Sequence, residues 1–170
     1  MILDKYDMKI LQCLQADGRM SMARLAELVG LTSSPTWERV RKLEDSGVLR
    51  GYHADVAIEQ LAQFTQIVVS VTLAGNRAQD FRRFEQGVAE IPEVVECFAV
   101  NGDIDYMLRF VVPNIQAYQE VIERALQRDL GIERYWTYMV TKSNKPYAGV
   151  PLEKILPNPD LYPHRSADGG

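Results

Sequence analysis

The apolar residues of this chain change their spacing near residue 65, and that change limits the fold more than any other feature of the sequence. Before residue 50 they recur every three or four positions, which is the period of helices packed on one face. Further on, "TQIVVSVTLA" places Ile67, Val69 and Val71 at alternate positions, which is the period of a strand with one buried face. The sequence therefore predicts a small helical domain followed by a domain built on a sheet.

Three short helices are predicted in the first domain, over "KYDMKILQCLQAD", "MARLAELV" and "PTWERVRKLEDSG". Ser21 suits the N-cap of the second helix, and Gly30 suits the residue that follows it. Thr32 or Ser34 is expected to cap the third helix. The next stretch, "VLRGYHADV", is typical of a short extended wing. This order of elements predicts a winged helix-turn-helix.

The second domain alternates strands and helices in the order βαββαβ. A helix is expected from about Ala78 to Pro92, and a second one after Asn114. Two strand-like runs between these helices are separated only by "NGDI", and "RYWTYMVT" forms the last strand. This order predicts a ferredoxin-like α+β fold, in which an antiparallel sheet carries both helices on one face. The bare second face predicts pairing with another copy of the chain.

The predicted domain boundaries follow from these patterns. The tail holds five of the eight prolines and is expected to be an extended arm that ends in disorder. The domains are a winged helix-turn-helix over 1–50, a linker or wing over 51–64, a ferredoxin-like domain over 65–145, and a proline-rich arm over 146–170.

Composition indicates a cytoplasmic protein. The start, "MILDKYDMKI", has acids where an export signal needs an apolar core, and no stretch resembles a membrane span. Cys13 and Cys97 lie in apolar periodic segments and are expected to be buried free thiols in a reducing compartment. Residues 1–55 hold eight basic and eight acidic side chains, so the net charge of −4 comes from the rest of the chain. DNA binding by the first domain therefore requires a local arrangement of charge.

The third helix has an outer stripe suited to DNA. Short polar side chains at its start are suited to base edges or phosphate, and basic side chains further along are suited to the backbone. Arg39 flanks this stripe. The helical spacing alone is nearly as compatible with a three-helix packing module that binds no DNA. The predicted DNA contacts are Thr32, Ser33, Ser34, Trp37, Glu38, Arg41 and Lys42.

Two residues of the stripe have alternative interpretations. Trp37 either faces outward with the other predicted DNA contacts or packs its ring against the neighbouring helix. Glu38 either accepts a hydrogen bond from a cytosine amino group or pairs with Lys42 one turn later. The intrahelical pair is favoured for Glu38.

The segment "VNGDIDYML" places Asp103 and Asp105 one residue apart between two predicted strands. As an acid/base pair these carboxylates would belong to a ferredoxin-like enzyme, which is the alternative function. Neighbouring strand residues point to opposite faces, however, and Asn101-Gly102 is a strong turn signal. The chain has only two histidines and shows no metal-ligand spacing or phosphate-binding glycine loop. No catalytic residue, metal site or cofactor is therefore predicted.

Several motifs of this chain, in their residues and in their order, resemble those of one known family. These motifs are "LDKYDMKILQCLQADGRMSMARLAELVGLTSSPTWERVRKLEDSGVLRGY", "PEVVECFAVNGDIDYMLRFVV" and "GIERYWTYMVTKSNK". Together they cover roughly residues 2–152 and are similar to the Lrp/AsnC "feast/famine" transcription regulators. The resemblance implies a winged helix-turn-helix joined to a βαββαβ domain that dimerises through its sheets and assembles into tetramers or octamers. It implies an activator or repressor of double-stranded DNA targets that is modulated by an amino acid.

The same resemblance implies an effector site between neighbouring dimers. In this family the ligand touches the Gly-Asp loop of one subunit and the end of the last strand of another. Asn101 and Ile104 depart from the usual loop pattern, whereas Gly102 and Asp105 keep it. A carboxylate suits the ammonium of an amino acid, and N–H groups at a glycine turn suit its carboxylate. The implied effector residues are Asn101, Gly102, Asp103, Asp105, Tyr135 and Thr137.

Overall fold

The structure is a computed structural model that describes residues 3–156, and these divide into two compact units. Of the described residues, 3–55 and 145–156 form one unit, and Val56–Asn144 form the other. The part of the C-terminal arm up to residue 156 thus belongs to the same unit as the N-terminal helices.

The first unit contains the three predicted helices. They are α1 (Lys5–Ala16), α2 (Met22–Val29) and α3 (Ser33–Asp45). Each contributes one apolar face to a common core, as the three-to-four-residue spacing predicts. The described residues 50–57 form no β-strand, so the expected wing is an irregular segment without a β-ladder. The buried apolar residues are Leu3, Met8, Ile10, Leu11, Leu14, Leu25, Val29, Val40 and Leu43.

Local chemistry fixes the helix ends. Ser21 accepts a hydrogen bond from the Arg24 N–H (3.2 Å), which confirms it as the N-cap of α2. Gly30 ends α2 with φ +79°, a left-handed conformation that glycine adopts without steric cost. Thr32 lies at the N-cap of α3, but its side chain makes no capping hydrogen bond. Its carbonyl instead accepts from the Thr36 hydroxyl (2.9 Å).

The C-terminal arm docks on α1. Gln15 brackets Val150, accepting from its N–H (2.9 Å) and donating to its carbonyl (3.3 Å). A four-residue helix, α6 (Leu152–Ile155), follows. Leu152 and Leu156 pack against the helical core, and Gln12 donates to Glu153 (2.8 Å). The arm up to residue 156 is therefore part of the helix-turn-helix unit; its predicted disordered end lies outside the described residues.

The second unit has the predicted ferredoxin-like α+β fold. The elements are β1 (Thr65–Leu73), α4 (Ala78–Ala89), β2 (Val94–Ala99), β3 (Tyr106–Val112), α5 (Ile115–Gln127) and β4 (Ile132–Met139). The strands lie in the order β2-β3-β1-β4, and all neighbouring pairs are antiparallel.

The core of this unit lies between the sheet and its two helices. Val69 of β1 pairs with Leu108 of β3 on one side and with Thr137 of β4 on the other. Alternate residues of β1 and β3 are buried, which is the pattern expected when one face of a sheet packs against helices. Phe84 of α4 is fully buried and its ring lies 4.5 Å from that of Tyr106, centroid to centroid.

Among residues 3–156 no helix covers the opposite face of the sheet, which is rich in exposed aromatic side chains. Phe98, Trp136 and Tyr138 are 54%, 43% and 55% exposed, respectively. Among them Glu96 and Arg109 form an ion pair across β2 and β3 (2.7 Å), and the Arg109 hydrogen bond lowers the pKa of Glu96. This face is the bare surface that the strand order predicted.

The prediction of two buried thiols is only partly right. Both cysteines are free, but Cys13 is half-buried and Cys97 is exposed. Cys97 pairs with buried Leu108 and so lies toward the helices, yet β2 is an edge strand of the four-stranded sheet. Position at the sheet edge, which apolar periodicity does not reveal, accounts for its exposure.

Candidate DNA-binding surface and effector-binding loop

Helix α3 turns one polar stripe outward. Thr36, Val40 and Leu43 are 0%, 6% and 1% exposed and hold the inner face in the core. The opposite face must therefore contact solvent. All the predicted DNA contacts lie exposed on this helix or at its N-cap: Thr32, Ser33, Ser34, Trp37, Glu38, Arg41 and Lys42.

Trp37 lies in the outer stripe and is 51% exposed, so its ring is not packed into the neighbouring helix. The Arg41 guanidinium carbon lies 5.3 Å from the centroid of the Trp37 ring, within the range of a cation–π contact. Arg41 is also 3.8 Å from Asp45, an exposed pair one turn further along the helix. The contact with Trp37 limits the positions open to the Arg41 side chain.

Glu38 and Lys42 do not form the predicted ion pair. Both side chains are exposed, and no ion pair of the described residues includes either of them. A surface pair of this kind gains little energy and loses side-chain freedom, so its absence is physically reasonable. Glu38 thus presents an unneutralised carboxylate within the stripe.

Arg39 lies beside the stripe in sequence but is held against α1. Its guanidinium contacts Asp7 (2.7 Å) and Asp4 (2.8 Å). The hydrogen bond to Asp7 is the main cause of a raised Arg39 pKa. Burial raises the pKa of Asp4, but hydrogen bonds from the N–H groups of Asp7 and Tyr6 and from Arg39 outweigh it and lower the pKa overall.

The segment 100–105 is the hairpin connection between β2 and β3, which confirms the predicted turn. The Val100 N–H donates to the Asp105 carbonyl (2.9 Å) and closes the loop. Gly102 has φ +148° and nothing lies within 4 Å of where a Cβ would stand. Asn101, Gly102 and Asp103 are exposed, so the loop tip is open to a ligand or a neighbouring subunit.

Asp105 anchors this loop to β1. Its N–H donates to the Val71 carbonyl (2.9 Å), and its Oδ2 accepts from the Leu73 N–H (2.7 Å). One carboxylate oxygen is therefore used within the fold, and Oδ1 is the oxygen left for other partners. Asp103 lies exposed in the loop, whereas Asp105 is tied to β1. This arrangement gives no support to an acid/base pair.

Tyr135 and Thr137 are separated from the loop within one chain. They pair with Val71 and Val69 on the far side of β1, so β1 stands between them and β3. At a strand spacing of about 4.8 Å, Tyr135 is two strands, or roughly 10 Å, from β3. The Thr137 and Tyr118 hydroxyls are 2.6 Å apart and hydrogen-bonded on the helix-covered face. The six implied effector residues thus form two separate groups.

Sequence reasoning missed two polar side chains near the loop. Thr72 pairs with Arg134, and Asp105 lies next to Thr72 because it precedes the Tyr106–Val71 pair. The Thr72 hydroxyl oxygen is buried and has no hydrogen-bond partner. A carboxylate, a hydroxyl and a guanidinium therefore cross the sheet in one row. Strand alternation could have indicated this row, but the register between strands was needed to assemble it.

Comparison with known proteins places both units in one group of regulators. The family model described as Lrp/AsnC ligand binding domain matches residues 66–150, and the model described as winged helix-turn-helix DNA-binding matches residues 3–50. The transcriptional regulatory protein DoeX of Halomonas elongata is 45% identical over 156 residues, covering 91% of this chain and 99% of that protein. The chain belongs to the Lrp/AsnC family. It is a transcriptional regulator with a DNA-binding and a ligand-binding domain.

Solved structures of Lrp/AsnC regulators share its fold. An AsnC family regulator from Agrobacterium tumefaciens is 34% identical with a TM-score of 0.83, over 91% of this chain and all of that one (100%). A Neisseria meningitidis regulator in complex with L-Met is 32% identical with a TM-score of 0.82, over 91% of this chain and 99% of that one. The leucine-responsive regulatory protein of Escherichia coli K12 is 37% identical over 84% of this chain and 87% of that protein.

Two features are absent from residues 3–156. No helix in that range is long and apolar enough to cross a membrane. No group of three or more His, Cys, Asp or Glu side chains in the same range is arranged to hold a metal ion. The relatives of this Lrp/AsnC chain are named as transcriptional regulators rather than as enzymes.

Proposed function

We propose that this Lrp/AsnC regulator contacts double-stranded DNA through the outer stripe of α3 and binds an amino acid at the β2–β3 loop, at an interface between subunits. DNA contact through α3 is supported by one observation: all the proposed contact residues are exposed, whereas the inner face of the same helix is buried. A helix fixed in this way presents a constant polar surface to the major groove.

The stripe divides into two chemical parts. Ser33 and Ser34 lie in the first turn of α3, where hydroxyls and unpaired helical N–H groups suit phosphate or base edges. Arg41 and Lys42 lie about two turns later and suit the backbone. Glu38 lies between these parts and repels phosphate, so an exocyclic amino group of a base is the DNA partner that suits it.

The row beside the loop matches the two charges of a free amino acid. Asp105 Oδ1 suits the ammonium, whereas Arg134 and the unpartnered Thr72 hydroxyl suit the carboxylate. The Neisseria meningitidis relative was solved with L-Met, which supports an amino acid as the class of ligand. Tyr135 and Thr137 are separated from this row within the chain, so they contribute from a neighbouring subunit.

Self-association follows from the helix-free face of the sheet. Its exposed aromatic side chains form an apolar surface of the kind that marks an interface between proteins. Pairing of two such faces gives a dimer, and further assembly to a tetramer or octamer brings the loops of neighbouring dimers together. A ligand bound there favours one arrangement of DNA-binding units and so changes affinity for a multi-site operator.

DNA binding is tested by electrophoretic shift or fluorescence anisotropy with duplexes enriched from a random pool by the wild-type protein. Arg41→Ala is expected to weaken binding about tenfold and to reduce the salt dependence of the affinity, because one phosphate contact is lost. Arg24→Ala is the matched control, since Arg24 is an exposed basic residue of α2 paired with Glu27 (2.6 Å). Equal affinities of wild type and Arg41→Ala would contradict the proposed surface.

Effector binding is tested by screening the twenty common amino acids for a thermal shift. Asn at position 105 keeps the oxygen that accepts from Leu73 but removes the charge, so Asp105→Asn is expected to fold and to lose the ligand-induced shift. Asp129→Asn is the control, because Asp129 lies in the exposed loop before β4. A ligand that stabilises wild type and Asp105→Asn equally binds elsewhere.

A further inference from the structure

Arg39 stands in the recognition helix but does not lie among the exposed side chains of its outer stripe. Its side chain is 30% exposed, compared with 63% for Arg41 two residues later. It contacts Asp7 and Asp4 on α1, and its guanidinium carbon lies 5.3 Å from the centroid of the Tyr6 ring. All three partners lie at the N-terminal end of α1.

The two carboxylates are themselves fixed in position. Asp4 is the N-cap of α1 and accepts from the N–H groups of Tyr6 (2.8 Å) and Asp7 (3.0 Å). Asp7 in turn accepts from the Asp4 N–H (3.1 Å), which completes a capping box. Asp7 is only 6% exposed as a residue, so its charge depends on Arg39 for compensation. Arg39 therefore meets a rigid pair of acceptors rather than mobile surface acids.

Apolar packing determines which face of α3 is buried, but it leaves the helix free to rotate by small angles about its axis. Val40 and Leu43 are buried in the core that α3 shares with α1, but apolar contacts have no preferred direction. Charge-assisted hydrogen bonds are short and directional. Arg39 adjoins Glu38 and Val40 in sequence, so the ion cluster is placed to fix this remaining rotation and with it the direction of the outward side chains.

We propose that Arg39 is a positioning residue for DNA recognition: it holds the recognition helix on the N-terminal turn of α1 and contacts no DNA. Its charge is also poorly suited to phosphate, because the two carboxylates in contact with it more than balance a single guanidinium. The inference rests on the proposed role of the α3 stripe, and the measurements below separate the two.

The experiment compares Arg39→Gln with Arg41→Gln in the full-length protein. The probes are a duplex enriched by the wild-type protein and a duplex of scrambled sequence, each titrated over a series of NaCl concentrations. Circular dichroism at the binding temperature restricts the comparison to folded protein. Loss of a phosphate contact lowers the affinity for both duplexes alike and reduces the slope of log affinity against log salt by about 1. Displacement of the helix instead lowers the ratio of the two affinities, because binding to the enriched duplex is weakened selectively.

Arg39→Gln is expected to weaken binding to the enriched duplex at least tenfold, leave binding to the scrambled duplex nearly unchanged, and keep the wild-type salt slope. Arg41→Gln is expected to weaken binding to both duplexes and to reduce the salt slope of the affinity. A reduced slope in Arg39→Gln, or wild-type selectivity in that folded variant, would overturn the proposal. Wild-type behaviour of Arg41→Gln would overturn the proposed stripe instead.

Asp7→Ala decides the question if Arg39→Gln does not fold. In Asp7→Ala the guanidinium keeps Asp4 as a partner, so no buried charge is left alone. A positioning role predicts weaker and less selective binding in this variant. If Arg39 were a phosphate contact, removal of an acid beside it would strengthen binding. Stronger or unchanged affinity of Asp7→Ala therefore contradicts the positioning role.

Discussion

The two units differ in how completely a single chain covers their apolar surfaces. The helix-turn-helix unit closes its core with three helices and the C-terminal arm, and it pairs its partly buried charges internally. The sheet unit covers one face with α4 and α5 and leaves Phe98, Trp136 and Tyr138 exposed on the other. The proposed DNA contacts therefore lie on a unit that one chain completes by itself, whereas the proposed effector site lies on a unit with one uncovered sheet face.

The largest effects should come from the two cores and should stay within each unit. Phe84→Ala empties a fully buried position of the sheet unit and Leu25→Ala a 1% exposed position of the helical unit. The expected losses of unfolding free energy are about 3–5 and 2–5 kcal/mol, respectively, from lost burial and residual cavities. Hydrogen exchange of α2 and β1 amides in mild denaturant measures each unit separately.

Separate units require that each substitution lowers protection in its own unit only. Equal loss of protection in β1 and α2 after Leu25→Ala would show that the units unfold together. The two units would then differ only in their exposed surfaces and not in their stability.

The helix-free face gives the next largest effect. Trp136→Asp places a charge in the proposed subunit interface and is expected to weaken self-association by on the order of 2 kcal/mol, roughly 30-fold in the dimer dissociation constant. Leu126→Asp is a matched control, since Leu126 is equally exposed at 43% but lies on α5, on the opposite side of the sheet. Sedimentation velocity over a concentration series measures both. Identical sedimentation of the two variants would remove the evidence for an interface on this face.

Much of the fold could be predicted because it depends on local pattern. Periodicity located helices α1 to α5 and the four strands, Ser21 and Gly30 marked the ends of α2, and strand order predicted the bare face. The outer stripe of α3 also follows from local pattern, since Thr36, Val40 and Leu43 fix which side is buried.

Features that depend on long-range contacts could not be predicted. Arg39 was placed only at the flank of the stripe because its partners lie 32 and 35 residues earlier, at Asp7 and Asp4. Thr72 was overlooked because its row with Asp105 and Arg134 exists only once β1 is paired on both sides. The docking of the arm on α1 likewise joins segments about 135 residues apart. Proline content alone indicated an extended arm and gave no partner.

A smaller effect should follow from loosening the arm. Leu152 is partly buried against the helical core, so Leu152→Ala is expected to lower the stability of the helix-turn-helix unit by about 1–2 kcal/mol, less than a fully buried leucine. Ile155→Ala is the control within the same short helix, because Ile155 is 54% exposed. Hydrogen exchange of α1 amides measures the change. Unaltered protection of α1 in Leu152→Ala would mean that the helical unit closes its core without the arm.

The smallest expected effect is the acid dependence that Asp4 gives to the helical unit. Its pKa is lower in the folded protein than the ordinary value of 3.8, because hydrogen bonds from Asp7 and Tyr6 N–H groups and from Arg39 outweigh the effect of burial. A carboxyl group with a lowered folded pKa contributes stability above its unfolded pKa and loses it as the pH falls through the folded pKa. Since the Asp4 side chain is 43% exposed, solvent screening limits the contribution to below about 1 kcal/mol.

Asp4→Asn isolates this contribution, because asparagine is as good an N-cap as aspartate but carries no charge. At pH 7 the wild-type helical unit should be slightly more stable than Asp4→Asn. The difference should shrink as the pH falls from about 5 toward 2, while the sheet unit shows no difference between the two proteins. Urea unfolding followed by α1 hydrogen exchange at each pH measures it. A difference that stays constant or grows on acidification would mean that the charge of Asp4 does not stabilise the helical unit through Arg39.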